Sequence, residues 1–188
     1  MKNKLVGFMG APGCGKTTLA CAMKEYAMEN NVSGDVCTEY PREYCFKYGP
    51  PSHPFAQYRI TANQTDRENA LLMGNNEYIF TDSPVWFGYV YTLVYMNLNY
   101  NEEVLSCLGD IYTRFVVNNI RRYHKVFYLQ NDNPHDDGCR NMEINQKIAD
   151  VMEGFYLSHQ HILPIIKIEI DVSKTLERKK AVWHHLTV

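Results

Sequence analysis

Gly10-Ala11-Pro12-Gly13-Cys14-Gly15-Lys16-Thr17 follows the short apolar run Leu5-Val6-Gly7-Phe8-Met9 and leads into Thr18-Leu19-Ala20-Cys21-Ala22-Met23. The eight residues satisfy the spacing GxxxxGK[ST], and their flanks read as a strand before and a helix after. At such a junction successive backbone N–H groups and a helix N-terminus converge on one point, which favours a polyphosphate. Lys16 is expected to reach the β- and γ-phosphates and Thr17 to hold Mg2+. Gly10, Ala11, Pro12, Gly13, Cys14, Gly15 and Thr18 complete the expected cradle for ATP.

The rest of the chain is consistent with one domain built around that loop. Its 188 residues are 45 % hydrophobic, enough for a sizeable core without disulfides or metal, so a single domain over residues 1–188 is expected. A formal net charge of −2 argues against a strongly basic nucleic-acid glove and an acidic disordered tail. Met1-Lys2-Asn3-Lys4 and the five apolar residues after it are too short for a signal peptide or a membrane span, which predicts a soluble, cytoplasmic protein. Cysteines at 14, 21, 37, 45, 107 and 139 form no CxxC pair and no zinc-type spacing with histidine, so they are read as reduced thiols.

Apolar, β-branched runs separated by helical patterns give βαβ units feeding a mostly parallel sheet. Strands are expected at 5–9, 36–39, 78–81, 126–130 and 165–170, and helices at 55–74, 85–97, 101–123, 142–159 and 175–185. The fold class is therefore α/β, a three-layer P-loop NTPase sandwich with helices on both faces of a five-stranded sheet. Trp86, Phe87, Tyr89, Tyr91 and Tyr95 crowd one helix and are read as core before they are read as a base-stacking platform. An unpatterned segment, about 131–141, is expected to act as a lid.

Phosphoryl transfer needs charge neutralisation, alignment and a poised acceptor hydroxyl, so carboxylates at strand ends and mobile arginines carry the argument. Glu39, expected at the end of the second strand in Glu39-Tyr40-Pro41-Arg42-Glu43, can take a proton from an acceptor hydroxyl, and Arg42 can orient that acceptor. A helix-start carboxylate ion-paired to Arg42 is the plain alternative. Asp82, in Ile79-Phe80-Thr81-Asp82-Ser83-Pro84, can hold Mg2+ opposite Thr17, or simply cap a helix. In His135-Asp136-Asp137-Gly138-Cys139-Arg140, Arg140 fits an arginine finger on the lid, with Asp136 and Asp137 positioning it or meeting the acceptor. An ordinary solvated turn would read the same way. The histidines form no spacing that suggests metal ligation.

The phosphate loop, Glu39-Tyr40-Pro41-Arg42-Glu43-Tyr44, Thr81-Asp82-Ser83-Pro84 and Asp136-Asp137-Gly138-Cys139-Arg140 occur in an order that resembles the small P-loop kinases related to the ribosylnicotinamide kinase domain of NadR-type proteins. That group is also abundant in bacteriophages. The resemblance covers about residues 5–145 and implies an ATP- and Mg2+-dependent phosphotransferase acting on a hydroxyl of a nucleoside-like acceptor, with Asp82 near metal and acceptor and Arg140 in the lid. Bifunctional members carry a preceding nucleotidyltransferase domain that this sequence lacks, which leaves the acceptor open.

Three readings follow. The first is a kinase of a nucleoside or nucleotide. The second is a kinase of 5-hydroxymethyluracil within DNA, for which Lys47, Arg59, Arg67, Arg121, Arg122 and Lys125 would supply a basic strip. The third is a nucleotide-dependent switch that works through a partner. A carboxylate after the second strand and an arginine in a lid are needed for transfer to an acceptor but not for a switch, which favours the kinases.

Overall fold

In the computed structural model β1 (Lys4–Met9) occupies the centre of a five-stranded parallel sheet. The structure describes residues 3–49, 51, 54–99, 114, 118–119, 121–130, 142–161 and 163–188. The other strands are β2 (Gly34–Cys37), β3 (Tyr78–Thr81), β4 (Tyr123–Leu129) and β5 (Ile165–Ile168), in the order β2-β3-β1-β4-β5. The described helices are α1 (Lys16–Glu29), α2 (Tyr40–Tyr48), α3 (Pro54–Leu72), α4 (Phe87–Asn99), α5 (Met142–His159) and α6 (Thr175–Thr187).

Side chains alternate across the pleat, so the central strand feeds two cores. Val6 and Phe8 face α1 and α6, where Leu19, Met23, Ala27, Val182 and Leu186 are buried with them. Phe8 sits between Phe80 and Phe127, at ring separations of 6.3 and 6.0 Å, so an aromatic row crosses the three middle strands. Leu5 and Met9 face the other layer, with Trp86, Phe87, Val90, Ile148 and Met152 from the segment entering α4, from α4 itself and from α5. Trp86 and Phe87 are thus core residues, as their size suggested.

Several boundaries differ from expectation for physical reasons. β2 ends at Cys37, because pairing to β3 runs only from Gly34↔Tyr78 to Cys37↔Thr81; Glu39 lies two residues beyond the strand, at the N-cap position of α2. α2 buries none of its residues, so no apolar period announces it, although Pro41 near its start is a recognised helix-initiation residue. Tyr123, expected at the end of a helix, instead opens β4, opposite Leu5 of β1. Most of the expected helix 101–123 and the expected lid lie outside the described residues. β5 pairs on one side only, and its middle residues are correspondingly half-buried rather than fully enclosed.

The connections from β1 lead toward β2 at one edge, whereas those from β3 lead across to β4 and β5. Such a reversal opens a crevice at the carboxyl ends of the two central strands, where ligands bind in open α/β sheets.

Candidate active site

The loop between β1 and α1 closes on itself. Gly10 has φ +153°, and a Cβ there would meet Cys14 Sγ at 2.5 Å and the Leu129 carbonyl oxygen at 2.6 Å; Gly15 enters the helix in the left-handed region at φ +83°. These glycines allow the backbone to fold tightly against the end of β4. Lys16 is buried, and its Nζ donates to the carbonyls of Gly10 at 2.9 Å and Ala11 at 3.0 Å. Burial pulls the Lys16 pKa down, but the acidic groups of Cys14, Tyr91, Asp82 and Glu39 more than offset it, so the net shift is upward and the side chain stays charged.

Across the β1–β3 crevice, Thr17 Oγ1 donates to Asp82 Oδ2 at 2.6 Å. Asp82 is 1 % exposed, and its other oxygen, Oδ1, has no hydrogen-bond partner among the described residues. Burial pushes its carboxyl up; Lys16, the Thr17 hydroxyl and Arg42 oppose this, and Glu39 reinforces it. The residue is held from two sides. Its backbone N–H donates to the Cys37 carbonyl at 3.1 Å, and Gly7 leaves the space that Pro84 fills, since a Cβ at Gly7 would meet Pro84 Cγ at 2.8 Å. A hydroxyl and a carboxylate with an orphan oxygen are hard donors of the kind Mg2+ takes when phosphates complete its shell. Among the described residues no group of three or more His, Cys, Asp or Glu side chains is placed to hold an ion.

Glu39 Oε1 and Arg42 Nη2 form an ion pair at 2.9 Å across the first turn of α2, and Glu39 makes no side-chain cap bond. The structure therefore brings Lys16, Thr17, Glu39, Arg42 and Asp82 to one edge of the sheet. Arg140, Asp136 and Asp137 lie outside the described residues.

Beside this edge opens a small cavity of ≈ 70 Å³ between α2, α3 and α4. Its walls are mainly apolar, from Pro41, Ile60, Pro84, Val85, Phe87 and Tyr91, with Gln57, Gln64 and Thr61 as polar points. Thr61 is 3 % exposed and its Oγ1 has no partner among the described residues. Gln64 accepts from the Tyr40 N–H at 2.8 Å and reaches Cys37 Sγ and Thr81 Oγ1, both at 3.4 Å, so one amide joins α2, β2 and β3 to the cavity wall. Ser83 and Pro84 carry the lining directly on from Asp82.

A family model described as an AAA domain matches residues 5–174. The chain belongs to that AAA-domain family. No curated protein matches the sequence. Among solved structures, this AAA domain resembles deoxyadenosine kinase from M. mycoides with bound dCTP, at TM-score 0.70 and 14 % identity over 97 % of this chain and 98 % of that one. The same enzyme with bound dATP gives TM-score 0.68 at 17 % identity, over 99 % and 100 %. NadR in complex with NAD and AMP-PNP gives TM-score 0.70 at 17 % identity, over 100 % of this chain and 50 % of NadR. The architecture is the α/β P-loop NTPase fold that the sequence predicted.

Three features of the site went unread in the sequence. Gln57, Gln64 and Thr61 lie on α3, whose polar residues give no sign of facing inward until α4 is packed against it. Glu68, fully buried, receives hydrogen bonds from Tyr123 at 2.9 and 3.0 Å and from Thr81 at 3.0 Å, with Arg122 at 3.4 Å. Arg178, on α6, is 2 % exposed and donates to the carbonyls of Ile170, Cys14 and Gln130. Of the basic residues considered as a strip, Lys47, Arg59, Arg67 and Arg122 lie on or against α2 and α3, where most are engaged by neighbouring side chains. Lys47 and Arg59 lie over Tyr48, Arg67 pairs with Glu43, Arg122 with Glu68, and Lys125 donates to the His185 carbonyl.

Proposed function

We propose that this chain is a single-domain P-loop kinase that moves the γ-phosphoryl group of ATP to a hydroxyl of a nucleoside or nucleotide-like acceptor. One observation carries the reading: the Lys16–Thr17–Asp82–Glu39 edge continues without a break, through Ser83, Pro84 and Pro41, into an apolar cavity with three inward polar side chains. A switch protein needs the loop and the metal ligands but has no use for an apolar opening beside them.

In this reading the loop amides and Lys16 hold the β- and γ-phosphates, and Thr17 and Asp82 hold Mg2+, which would neutralise charge on the transferring group. Glu39 receives the acceptor's proton, and Arg42 fixes the carboxylate while reaching an anionic or hydroxyl group of the acceptor. Arg140 would stabilise charge developing on the transferred phosphoryl group, with Asp136 and Asp137 positioning it or meeting the acceptor. The cavity takes the base: Phe87, Tyr91 and Pro41 offer apolar contact, Gln57 and Thr61 offer hydrogen bonds to its edge, and Gln64 holds the wall in place. The chemistry of the bound nucleotides named for the deoxyadenosine kinase and NadR structures is consistent with such an acceptor.

The test is transfer of label from γ-labelled ATP to a panel of ribo- and deoxynucleosides, nucleoside monophosphates and DNA carrying hydroxymethylated pyrimidines. A labelled small molecule supports the reading. Label in DNA alone replaces it with the DNA-base kinase, and slow hydrolysis with no labelled acceptor replaces it with the switch.

A further inference from the structure

Arg178 is a buried charged side chain outside the catalytic edge. It lies one turn into α6, where its backbone N–H continues the helix from Lys174, yet its guanidinium points away from solvent into the base of the sheet's carboxyl end. Nε donates to Ile170 O at 2.6 Å, Nη1 to Cys14 O at 2.6 Å and Nη2 to Gln130 O at 3.4 Å. The three carbonyls belong to segments leaving β5, β1 and β4, so one planar fork ties together three of the five strand ends. A lysine ammonium has neither the planar geometry nor the reach to do this.

Among the described residues no carboxylate stands within ion-pair distance of Arg178. Burial lowers its pKa, while Cys14 and Asp171 act in the other direction; the exposed Asp171 carboxylate is itself occupied by Ser173. Burying a cation is costly, and an anion arriving nearby relieves that cost. The nearest such place is the phosphate loop. The Cys14 carbonyl that Arg178 holds belongs to the same peptide unit as the Gly15 N–H, which in the kinase reading would donate to the phosphates, and a hydrogen bond accepted at one end of a peptide strengthens donation at the other. A Cβ on Gly15 would lie 3.4 Å from Nη1, so the guanidinium stands directly behind the loop.

We propose that Arg178 is a positioning residue for the phosphate loop: through Cys14 it fixes and polarises the Gly15 amide, and its buried charge is neutralised when a polyphosphate binds. This rests on the kinase reading insofar as that reading puts ATP in the loop. It specifies a contribution to affinity that grows with the phosphates and is blind to the base.

Arg178→Lys and Arg178→Gln are titrated calorimetrically with MgATP and with adenosine, alongside Lys16→Ala. The expected result is at least a tenfold loss of MgATP affinity in both Arg178 variants, a change of less than twofold for adenosine, and a smaller nucleotide-induced rise in Tm than in the wild type. Equal losses for MgATP and adenosine would make Arg178 a scaffold residue only and overturn the proposal, as would unchanged MgATP affinity. If Lys16→Ala also leaves MgATP affinity unchanged, the fault lies in the loop reading itself. Should the Arg178 variants fail to fold, the wild type decides: its Arg178 Nε–H resonance is expected to shift on adding MgATP, and an unmoved resonance overturns the proposal.

Discussion

The Thr17 hydroxyl donates to Asp82 Oδ2 at 2.6 Å, joining the first turn of α1 to the residue after β3, while Asp82 Oδ1 is left without a partner in a buried setting. A carboxylate capping a helix would accept from a backbone N–H of its first turn, whereas the Asp82 carboxylate accepts only from the Thr17 hydroxyl among the described residues. Replacing Asp82 with Asn keeps the shape and removes the charge. Asp82→Asn is expected to lower kcat by about 100-fold or more, with MgATP affinity reduced by no more than about tenfold, the range typical for groups around a metal. Steady-state kinetics and direct titration measure the two separately.

Lys16 is charged, buried and satisfied by Gly10 and Ala11 carbonyls. Removing it eliminates the only long cation of the loop but also the burial cost of that cation. Lys16→Ala is expected to weaken MgATP binding by about two orders of magnitude, or ~2.7 kcal/mol, while Tm without nucleotide stays close to the wild type. Titration calorimetry and a thermal melt provide both readouts.

Glu39 stands outside β2 with Arg42 against it at 2.9 Å. If it accepts the acceptor's proton, Glu39→Gln removes a step rather than a binding contact. The expected loss in kcat is about 10²–10⁴-fold with the acceptor's KM little changed; a rise in KM alone would make Glu39 a binding residue instead.

Glu68 makes stability depend on pH. Burial pushes its carboxyl up from 4.5 to about 7, against the pull of Arg122, Tyr123 and Thr81. Between those two values the native state retains a proton that the unfolded chain has released, so stability falls as pH rises, and the contribution is lost above about 7. The full effect is about 3 kcal/mol, several degrees in Tm for a chain of this length. Melts from pH 5 to 8 should show this decline in the wild type and a flatter profile in Glu68→Gln.

Gly88 permits α3 and α4 to pack closely, since a Cβ there would meet Thr61 Oγ1 at 1.9 Å. Gly88→Ala is expected to cost about 1–3 kcal/mol by overpacking and to push Thr61 into the cavity. Acceptor KM should rise more than ATP KM, a difference measurable by varying each substrate in turn.

The fold was largely legible because its signals are local: a loop of fixed spacing after an apolar strand, and apolar runs such as Tyr78-Ile79-Phe80 that are buried on both faces. Thr17 and Asp82 could be paired on paper for the same reason, each being anchored to the end of a readable strand. Arg178 could not. Its carbonyl partners lie 8, 48 and 164 residues away in sequence, and a lone arginine one turn into a charged helix looks like solvent-facing surface. Gln64 is bound to Tyr40, Cys37 and Thr81 across three elements, so its role exists only once α3 is packed over β2 and β3. α2 escaped notice because an exposed helix has no buried stripe for periodicity to report.

The exposure of α2 has an evolutionary corollary. Because none of its residues supports the interior, Pro41, Cys45 and their neighbours can be exchanged with little penalty to folding, while the Gln64 amide keeps the start of that helix pinned to the sheet. In the kinase reading, acceptor preference would drift through that rim while the groups proposed to handle phosphate stay as they are.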